Sequence, residues 1–372
     1  MNNCERKHFE KHMTRRSFVK LGALAGGAAV LSGLSACGNS SQTPSPSASV
    51  AVESAGVDAT ASSPASTSAA ASTATAPASS SGANGAAPQV YFTHTLDSEA
   101  MQAVFAAIGQ GLGDGRIGVK LSTGEPGGNH YLKADLISGL VEELNATIVE
   151  CNTAYRGGRS NTDAHYQVAT DHGFSSIADF QIMDEDGSLP LAVEGGLHLT
   201  ENLVGAHFAD YDGFLVLSHF KGHQMAGFGG ALKNISIGMA SREGKFLIHS
   251  AGANRTSWQS APTPDFLESM ADACEAVLAA QPNMLFVNVM NYLSVDCDCD
   301  SNPAPPKMAD IGILASSDPV ALDQACVDLV YASDDDSADL IARIESRDGQ
   351  HVLEAAEALG VGSRAYELVE IG

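Results

Sequence analysis

Basic residues are scarce in this sequence. Its 372 residues include 20 Lys and Arg against 44 Asp and Glu, so the formal net charge is −24 at pH 7. A chain with this charge repels phosphate backbones and anionic lipid head groups. The composition therefore argues against nucleic acid as a partner and is compatible with metal cations or cationic carriers. The alternative is that the acidity only keeps an exported protein soluble.

An apolar run long enough to span a membrane is absent from the N-terminal region. Residues 14–20 read TRRSFVK, with Arg15 adjacent to Arg16, and a Gly/Ala-rich apolar stretch then extends from Leu21 to Ala36. That stretch is shorter than the roughly 20 residues that a spanning helix needs. A basic start, a short apolar middle and a small-residue end are typical of a signal peptide. The paired arginines predict the twin-arginine route, which exports folded proteins.

The end of this stretch predicts a lipid anchor. Residues 34–37 read LSAC, which resembles the lipobox of bacterial lipoproteins. Removal of residues 1–36 would make Cys37 the first residue, and its thiol would carry a diacylglycerol. The protein is then expected at the outer face of the cytoplasmic membrane, attached through its lipid. The alternative is an ordinary signal peptide in which Cys37 has no role.

Lysine, arginine and aromatic residues are all missing from residues 38–88, which consist almost entirely of Ser, Ala, Thr, Pro and Gly. Such a segment cannot bury enough apolar surface to offset the entropy lost on ordering. We therefore predict a disordered linker over residues 37–88 and a folded domain over residues 89–372.

Strand-like and helix-like segments alternate along this domain, and no internal repeat is evident. The strand-like segments are Arg116–Leu121, Ala146–Glu150, Gly213–Leu217, Met284–Met290 and Ile311–Ala315. The helix-like segments are Ala134–Leu144, Thr162–His172, Asp265–Ala280, Ala338–Ser346, His351–Leu359 and one that begins at Asp318-Pro319. This alternation predicts an α/β domain with a mainly parallel or mixed sheet and helices on both faces.

The cysteines of the domain do not form CxxC pairs, and their odd number fits a disulfide framework poorly. Two of them, Cys297 and Cys299, lie in the segment DCDCD (residues 296–300). In an extended chain both thiols would share one face, where they could bind a soft metal ion or part of an iron–sulfur cluster. Free thiols or a disulfide are the alternatives.

A CxC pair cannot complete a tetrahedral metal site, so further ligands must come from elsewhere in the fold. Cys151 ends a predicted strand, and Cys326 lies early in the helix that begins at Asp318-Pro319. These two are the first candidates, followed by His219 or His223. Cys274 lies among small apolar residues of a helix and is expected to pack in the core.

The segment SHFKGHQMAGFGGALKN (residues 218–234) follows a predicted strand, at the end where open α/β sheets place their ligands. It lacks the spacing of a Walker loop. We expect it to bind a small anionic substrate through backbone N–H groups and lysine. The predicted catalytic residues are His219, Lys221 and His223, and the predicted substrate-binding residues are Gly229, Gly230, Lys233 and Asn234. The histidines could instead bind a metal, or the whole loop could serve packing alone.

A third polar segment, STGEPGGNHY (residues 122–131), follows the strand-like segment Arg116–Leu121 and supplies Glu125, Asn129 and His130 as further substrate-binding candidates. Loops that follow parallel strands meet at one edge of a sheet. We therefore expect these segments to surround one cavity. Its expected lining is Glu125, His130, Cys151, His219, Lys221, His223, Cys297 and Cys299.

Four blocks of sequence resemble domain of unknown function family 362: residues 119–132, 149–165, 218–241 and 296–325. Some relatives in that family carry an appended ferredoxin segment with CxxCxxCxxxCP runs. No such run is present here, so ferredoxin clusters are not expected, and only ligation within the domain stays open. The resemblance itself implies no reaction.

These observations predict a tethered extracytoplasmic protein that binds a metal ion or an iron–sulfur cluster and serves redox chemistry on a small anionic substrate with an electron-transfer partner. One alternative is a non-catalytic tethered binding protein for a small anion or metal. Another is a metal-dependent hydrolase that uses His219, His223 and a carboxylate such as Asp310.

Overall fold

The computed structural model describes residues 86–372. The twin-arginine pattern at Arg15 and Arg16, the lipobox at Cys37 and nearly all of the linker lie outside the described residues. The signal peptide, the lipid anchor and the domain boundaries therefore stay predictions.

Strands and helices alternate along the described chain. The strands are β1 Gln89–Thr93, β2 Ile117–Lys120, β3 Thr147–Glu150, β4 Phe180–Ile182, β5 Ser188–Ala192, β6 Glu201–Gly205, β7 Gly213–His219, β8 Lys221–His223, β9 Gly227–Gly229, β10 Met284–Met290, β11 Gly312–Ser316 and β12 Glu367–Glu370. The helices are α1 Ser98–Ala106, α2 Ala134–Glu143, α3 Thr162–Asp171, α4 Ala231–Lys233, α5 Arg242–His249, α6 Thr263–Ala280, α7 Pro319–Ala332, α8 Ala338–Ser346 and α9 His351–Ala358. A single π-helical turn, Asn234–Gly238, continues α4.

Eight of the strands form one sheet, in the order β12-β1-β11-β10-β7-β2-β3-β4. Strands β10, β7, β2, β3 and β4 are parallel to one another, and β12 is parallel to β1. Strand β11 runs antiparallel to both β1 and β10. Two small antiparallel pairs, β5–β6 and β8–β9, lie outside this sheet. The prediction of a mainly parallel α/β sheet is confirmed.

Strand β10 is buried throughout and β7 is buried up to Ser218, because helices cover both faces of the sheet. Phe214 and Val216 of β7 pack in one apolar cluster, which includes residues of α6, α7 and α9. Leu215 and Leu217 point to the other cluster, which includes residues of α1 and α2. The alternation follows from the two-residue period of a strand. Strands covered on both faces carry continuous apolar runs, which is why the sequence revealed them.

The parallel arrangement brings the carboxyl ends of β2, β3, β7 and β10 to one edge of the sheet, and we call this the carboxyl edge. Lys120, Glu150, His219 and Met290 are the last residues of these strands. The polar segments singled out in the sequence follow the ends of β2, β7 and β10.

The start of α7 was predicted correctly. The Asp318 side chain accepts hydrogen bonds from the N–H groups of Val320 and Ala321, and Pro319 occupies the first helical position. This is the expected capping chemistry for a helix N-terminus. Within residues 86–372, no helix combines the length and the apolar character that a membrane span requires.

Candidate functional site

Asp298 joins the three polar segments at the carboxyl edge. Its carboxylate accepts from Lys221 Nζ at 2.7 Å and from His219 Nδ1 at 2.9 Å. Its backbone carbonyl accepts from the N–H of Glu125 at 3.0 Å. The DCDCD segment, the loop after β7 and the loop after β2 therefore pack against one another, as the topology of parallel strands leads us to expect.

The side chains of His219, Lys221 and Asp298 form a buried ion cluster. The second ring nitrogen of His219 lies 2.7 Å from the carbonyl oxygen of Asn291, so each ring nitrogen faces an acceptor. Lys221 also donates to the carbonyl of His130 at 2.9 Å. Burial disfavours the charged form of Asp298, but the charges and hydrogen bonds of His219 and Lys221 outweigh it and hold the pKa well below its usual range. This cluster fixes the DCDCD segment to the sheet, and contact of His219 or Lys221 with a substrate stays a prediction.

The DCDCD segment is a turn, so its predicted extended conformation is wrong. The N–H of Asp300 donates to the carbonyl of Cys297 at 2.9 Å, and a disulfide joins Cys297 to Cys299. Asp296 pairs with Arg343 at 2.7 Å. The physical reason for the turn is that Asp298 is held in the ion cluster while Asp296 is held by α8.

His223 lies beside the two cysteines. One potential ligand atom from each of His223, Cys297 and Cys299 lies within 4.8 Å of the others, so the three could hold a metal ion. Nδ1 of His223 accepts from the N–H groups of Met225 at 3.3 Å and Ala226 at 3.0 Å. In the neutral ring the proton is then on Nε2. Metal binding through Nε2 would therefore require this proton to move to Nδ1 and the two backbone N–H groups to give up their acceptor.

The His223 ring has the charge state that metal binding requires. Burial, followed by repulsion from Lys233, lowers the pKa of His223 well below its ordinary value. The ring is therefore neutral near pH 7, and only a neutral imidazole can bind a metal.

Cys151 and Cys326, the first predicted partners of the CxC pair, are not brought to it. Cys151 donates to the carbonyl of Met239 at 3.3 Å, and Cys326 accepts from Asn288 Nδ2 at 3.4 Å. Both are buried in the core. Burial raises the pKa of Cys151 to about 12 and that of Cys326 well above its ordinary value, so both are thiols rather than thiolates. Both are held in apolar packing, as Cys274 is, so these contacts lend no support to the predicted ligand role, which stays a prediction.

The start of α4 does not present free N–H groups to an external anion. The N–H groups of Ala231 and Leu232 donate to the carboxylate of Asp323 at 2.8 and 2.9 Å. A Cβ on Gly230 would lie 2.3 Å from Asp323 Oδ1, so only glycine leaves room for this carboxylate. The prediction of a backbone anion site at Gly230 is therefore wrong, because a carboxylate from α7 occupies it.

Glu125 is part of a second buried ion network. Its carboxylate accepts from Tyr155 Oη at 2.6 Å and from Arg159 Nε at 2.9 Å. Arg159 also donates to Glu150 at 2.6 Å, and Glu150 accepts from His165 at 3.0 Å. These contacts give the Glu125 carboxylate partners within the protein. They do not test its predicted role in substrate binding, which stays a prediction.

Asn129 and His130 line an open pocket of ≈ 470 Å³, whose other walls come from Gly127 and residues 301–305. The His130 ring stacks on Tyr292 with centroids 5.5 Å apart. Glu125, His130 and Asp298 also line an adjoining crevice. His219, His223 and Cys297 line neither of these two depressions. Of the residues expected to line one cavity, these two depressions therefore bring together Glu125 and His130.

The sequence singled out Lys233 in the loop after β7, but it did not single out Lys120 at the end of β2. Asn234 accepts from Lys120 Nζ at 2.9 Å and donates to Ser218, so it positions the buried Lys120 at the end of β2. Lys120 was not singled out, although a lysine inside the apolar run IGVKL was a signal that it is special. Lys233, a predicted substrate-binding residue, is partly exposed next to Gly229.

A second group that could hold a metal lies away from the carboxyl edge. It consists of His198, Asp265 and Glu268. Glu268 accepts from His198 at 2.6 Å and from His351 at 2.9 Å. Internal hydrogen bonds already satisfy this carboxylate, so the CxC pair is the better candidate for a soft metal.

Comparisons with solved structures give distant likenesses. The chain resembles the lactate racemase apoprotein from Thermoanaerobacterium thermosaccharolyticum at 13% identity and a TM-score of 0.42, over 64% of this chain and 56% of that one. It resembles a protein from Thermotoga maritima at 11% identity and a TM-score of 0.36, over 71% of this chain and 60% of that one. The chain thus spans less than two thirds of either neighbour.

None of the curated proteins matches this chain. A family model does match, over residues 117–328, and its description is "Domain of unknown function (DUF362)". The matched range covers more than half of the chain. It contains the loop after β2, the loop after β7 and the DCDCD segment, and so the chain belongs to the DUF362 family.

Proposed function

We propose that this protein binds a soft metal ion through the reduced Cys297–Cys299 pair, with His223 beside it, and serves redox chemistry on a small anionic ligand at the outer face of the cytoplasmic membrane. The observation that carries the proposal is the grouping of ligand atoms from His223, Cys297 and Cys299 within 4.8 Å. Thiolate and imidazole together favour soft or borderline ions such as zinc, copper(I) or iron.

The disulfide is the oxidised form of the proposed site. Reduction by an external two-electron donor, such as a dithiol protein, breaks the S–S bond and gives two thiolates that can bind the metal. A disulfide sulfur is a poor ligand by comparison, since the thiolate is the metal-binding form. Metal binding is therefore expected only in the reduced protein.

A single metal ion suits the group better than an iron–sulfur cluster. Common clusters have four protein ligands, whereas the group within residues 86–372 supplies three. Three protein ligands plus one open position are typical of catalytic metal sites. The hydrolase alternative receives less support, because Asp310 accepts from the N–H of Tyr292 at 2.7 Å and belongs to neither ligand group of the described residues.

Cobalt(II) titration of the reduced protein tests this proposal. We expect about one equivalent to bind, with the intense near-ultraviolet absorption of thiolate ligation. Cys297→Ser and Cys299→Ser should each weaken binding at least about ten-fold, since each removes one of two thiolates. Cys274→Ser is the matched control, because it removes a thiol in the core, and its affinity should equal that of the parent protein.

Two outcomes would refute the proposal. One is a reduced protein that binds no cobalt, zinc or iron. The other is a Cys297→Ser/Cys299→Ser double variant that binds metal as tightly as the Cys274→Ser control. Binding of equal strength to the oxidised protein would also count against thiolate ligation.

A further inference from the structure

One face of α6 and the segment before β6 bring a histidine and two carboxylates together. The potential ligand atoms of His198, Asp265 and Glu268 all lie within 4.8 Å of one another. Asp265 and Glu268 are three residues apart on α6, so their side chains are neighbours on one face of the helix. With metal–ligand distances of about 2 Å, the ligand atoms of one ion lie up to roughly 4 Å apart. Small side-chain rotations would therefore let one ion contact all three groups.

The backbone around His198 is fixed by a fourth residue of α6. The buried carboxylate of Asp272 accepts from the N–H groups of Leu197 at 3.0 Å, His198 at 2.8 Å and Leu199 at 2.9 Å. Asp272 follows Glu268 by one helical turn, so the same helix supplies the two carboxylates and anchors the histidine that faces them. A site that is already held in place loses little conformational entropy when it binds an ion.

The two oxygens of Glu268 have different partners. Oε1 accepts from His351 Nε2 at 2.9 Å, and Oε2 accepts from His198 Nε2 at 2.6 Å. A carboxylate that binds a metal is commonly held by a hydrogen bond to its other oxygen, and His351 supplies that bond. For His198 to bind an ion through Nε2, the proton on this nitrogen must leave. Nδ1 of His198 makes no hydrogen bond within the described part of the chain, so it can carry the proton instead.

Asp265 leaves a negative charge without a partner. Its carboxylate makes no hydrogen bond or ion pair with any residue in the range 86–372. Across the same range, Glu268 pairs with histidines and with no lysine or arginine. The side chains of His198 and Glu268 are each 23% exposed, so an ion can reach them from solvent. Two carboxylates and a neutral imidazole match the charge of a divalent cation.

We infer that His198, Asp265 and Glu268 bind a divalent cation of the hardness of Mn²⁺, with water in the remaining positions. Two carboxylate oxygens and one imidazole nitrogen suit such an ion, whereas the thiolates of the CxC pair suit a softer one. This site goes beyond the proposed function, because it shares no ligand with the CxC pair. The bound ion would join α6 to the segment that precedes β6.

Electron paramagnetic resonance of the full-length, oxidised protein titrated with Mn²⁺ tests this site. We expect about one equivalent to bind, which removes the sharp signal of the free ion. Pulsed measurements should also detect a nitrogen nucleus coupled to the bound ion, because one ligand is an imidazole. An ion attracted only by the general acidity of the protein would show no such nitrogen.

Asp265→Asn is the most informative variant because its carboxylate has no partner among residues 86–372, so the fold does not depend on it. It should weaken Mn²⁺ binding at least about ten-fold, since even residues that only support a metal ligand have effects of that size. The control is Asp135→Asn, which removes the same charge from an exposed aspartate in the first turn of α2. Its affinity for Mn²⁺ should equal that of the parent protein.

His198→Gln tests the nitrogen ligand. It should abolish the nitrogen coupling and weaken binding at least about ten-fold. The matched control is His94→Gln, which removes an exposed histidine whose Nε2 lies 3.8 Å from Glu370 and should change neither property. Thermal unfolding of each variant without metal establishes that it is folded before the titration.

Three results would overturn the inference: no Mn²⁺ binding by the parent protein, bound Mn²⁺ without nitrogen coupling, or equal affinities of Asp265→Asn and Asp135→Asn. Failure of this site is distinguishable from failure of the CxC proposal. The Mn²⁺ titration uses protein with the disulfide intact, so Cys297→Ser should bind Mn²⁺ as the parent protein does. Cobalt held by oxygen and nitrogen alone lacks thiolate absorption, and so Asp265→Asn should retain that absorption when reduced.

Discussion

At the scale of single residues, Asp298 has the most consequential role that the sequence did not reveal. The DCDCD pattern predicted two thiols on one face of an extended chain and no role for its aspartates, yet Asp298 is buried between His219 and Lys221. Those partners are distant in sequence, so no local pattern could reveal the contact. The residues that were recognised correctly, such as Asp318 at the start of α7, act on neighbours within the same helix.

Removing the charge of Asp298 should destabilise the protein strongly. Asp298→Asn leaves His219 and Lys221 without a buried counter-ion, a change that costs about 3–5 kcal/mol in comparable pairs. Denaturant unfolding at neutral pH measures the loss. The control is Asp296→Asn, whose pair with Arg343 is partly exposed and should contribute about 1 kcal/mol or less.

The contribution of Asp298 has a defined pH dependence. Its folded-state pKa is held below the unfolded value, so its stabilisation is fully present above the unfolded pKa and is lost as the pH falls toward the folded pKa. The difference between the parent protein and Asp298→Asn should therefore shrink on acidification. A difference that is constant from neutral to acidic pH would contradict the ion cluster.

At the scale of helices and strands, the sequence predicted the centre of the sheet and missed its edge. Strands β7 and β10 were recognised as continuous apolar runs because both of their faces are buried. Strand β12 has no fully buried residue, so its sequence gives little signal. The antiparallel direction of β11 is fixed by pairing with β1 and β10, which a local pattern does not encode.

A carboxylate on α6 connects three parts of the fold. Glu268 accepts from His198 before β6 and from His351 of α9. Hydrogen bonds from these histidines lower the pKa of Glu268, so its contribution is present above the unfolded pKa and is lost as the pH falls through the folded value. Glu268→Gln should lower the melting temperature at neutral pH, with a smaller effect in acid.

The control for this variant is Glu142→Gln on the exposed face of α2. It makes the same chemical change and should alter the melting temperature little at any pH. Equal melting temperatures for the two variants at neutral pH would show that the His198–Glu268–His351 contacts do not stabilise the fold.

At the scale of the whole molecule, a chain with a net charge of −24 buries three lysines, Lys120, Lys221 and Lys245. The sequence predicted the acidity from composition alone and located Lys221 and Lys233 in one glycine-rich segment. It could not predict that Lys120 of β2 and Lys245 of α5 are also buried, because that depends on how these elements pack in the fold. The family match over residues 117–328 covers the strands and loops that build this edge.

Export is the property of the whole chain that the N-terminal sequence predicts. Arg15→Lys combined with Arg16→Lys should retain precursor in the cytoplasm, because the twin-arginine route depends on the arginine pair. Cys37→Ala should yield protein without the acyl mass. Cell fractionation and intact-protein mass spectrometry measure these outcomes, and Cys4→Ala is the control. Normal export of the arginine variant, or an unlipidated parent protein, would contradict this prediction.

The most direct test of the central claim is X-ray absorption at the metal edge of reduced protein purified without oxygen. We expect two sulfur ligands at roughly 2.3 Å with lighter atoms completing the shell, as is typical of thiolate-bound zinc. Cys297→Ser should leave one sulfur ligand, and oxidation should release the metal. A metal bound only by oxygen and nitrogen, or a reduced protein without metal, would contradict the account.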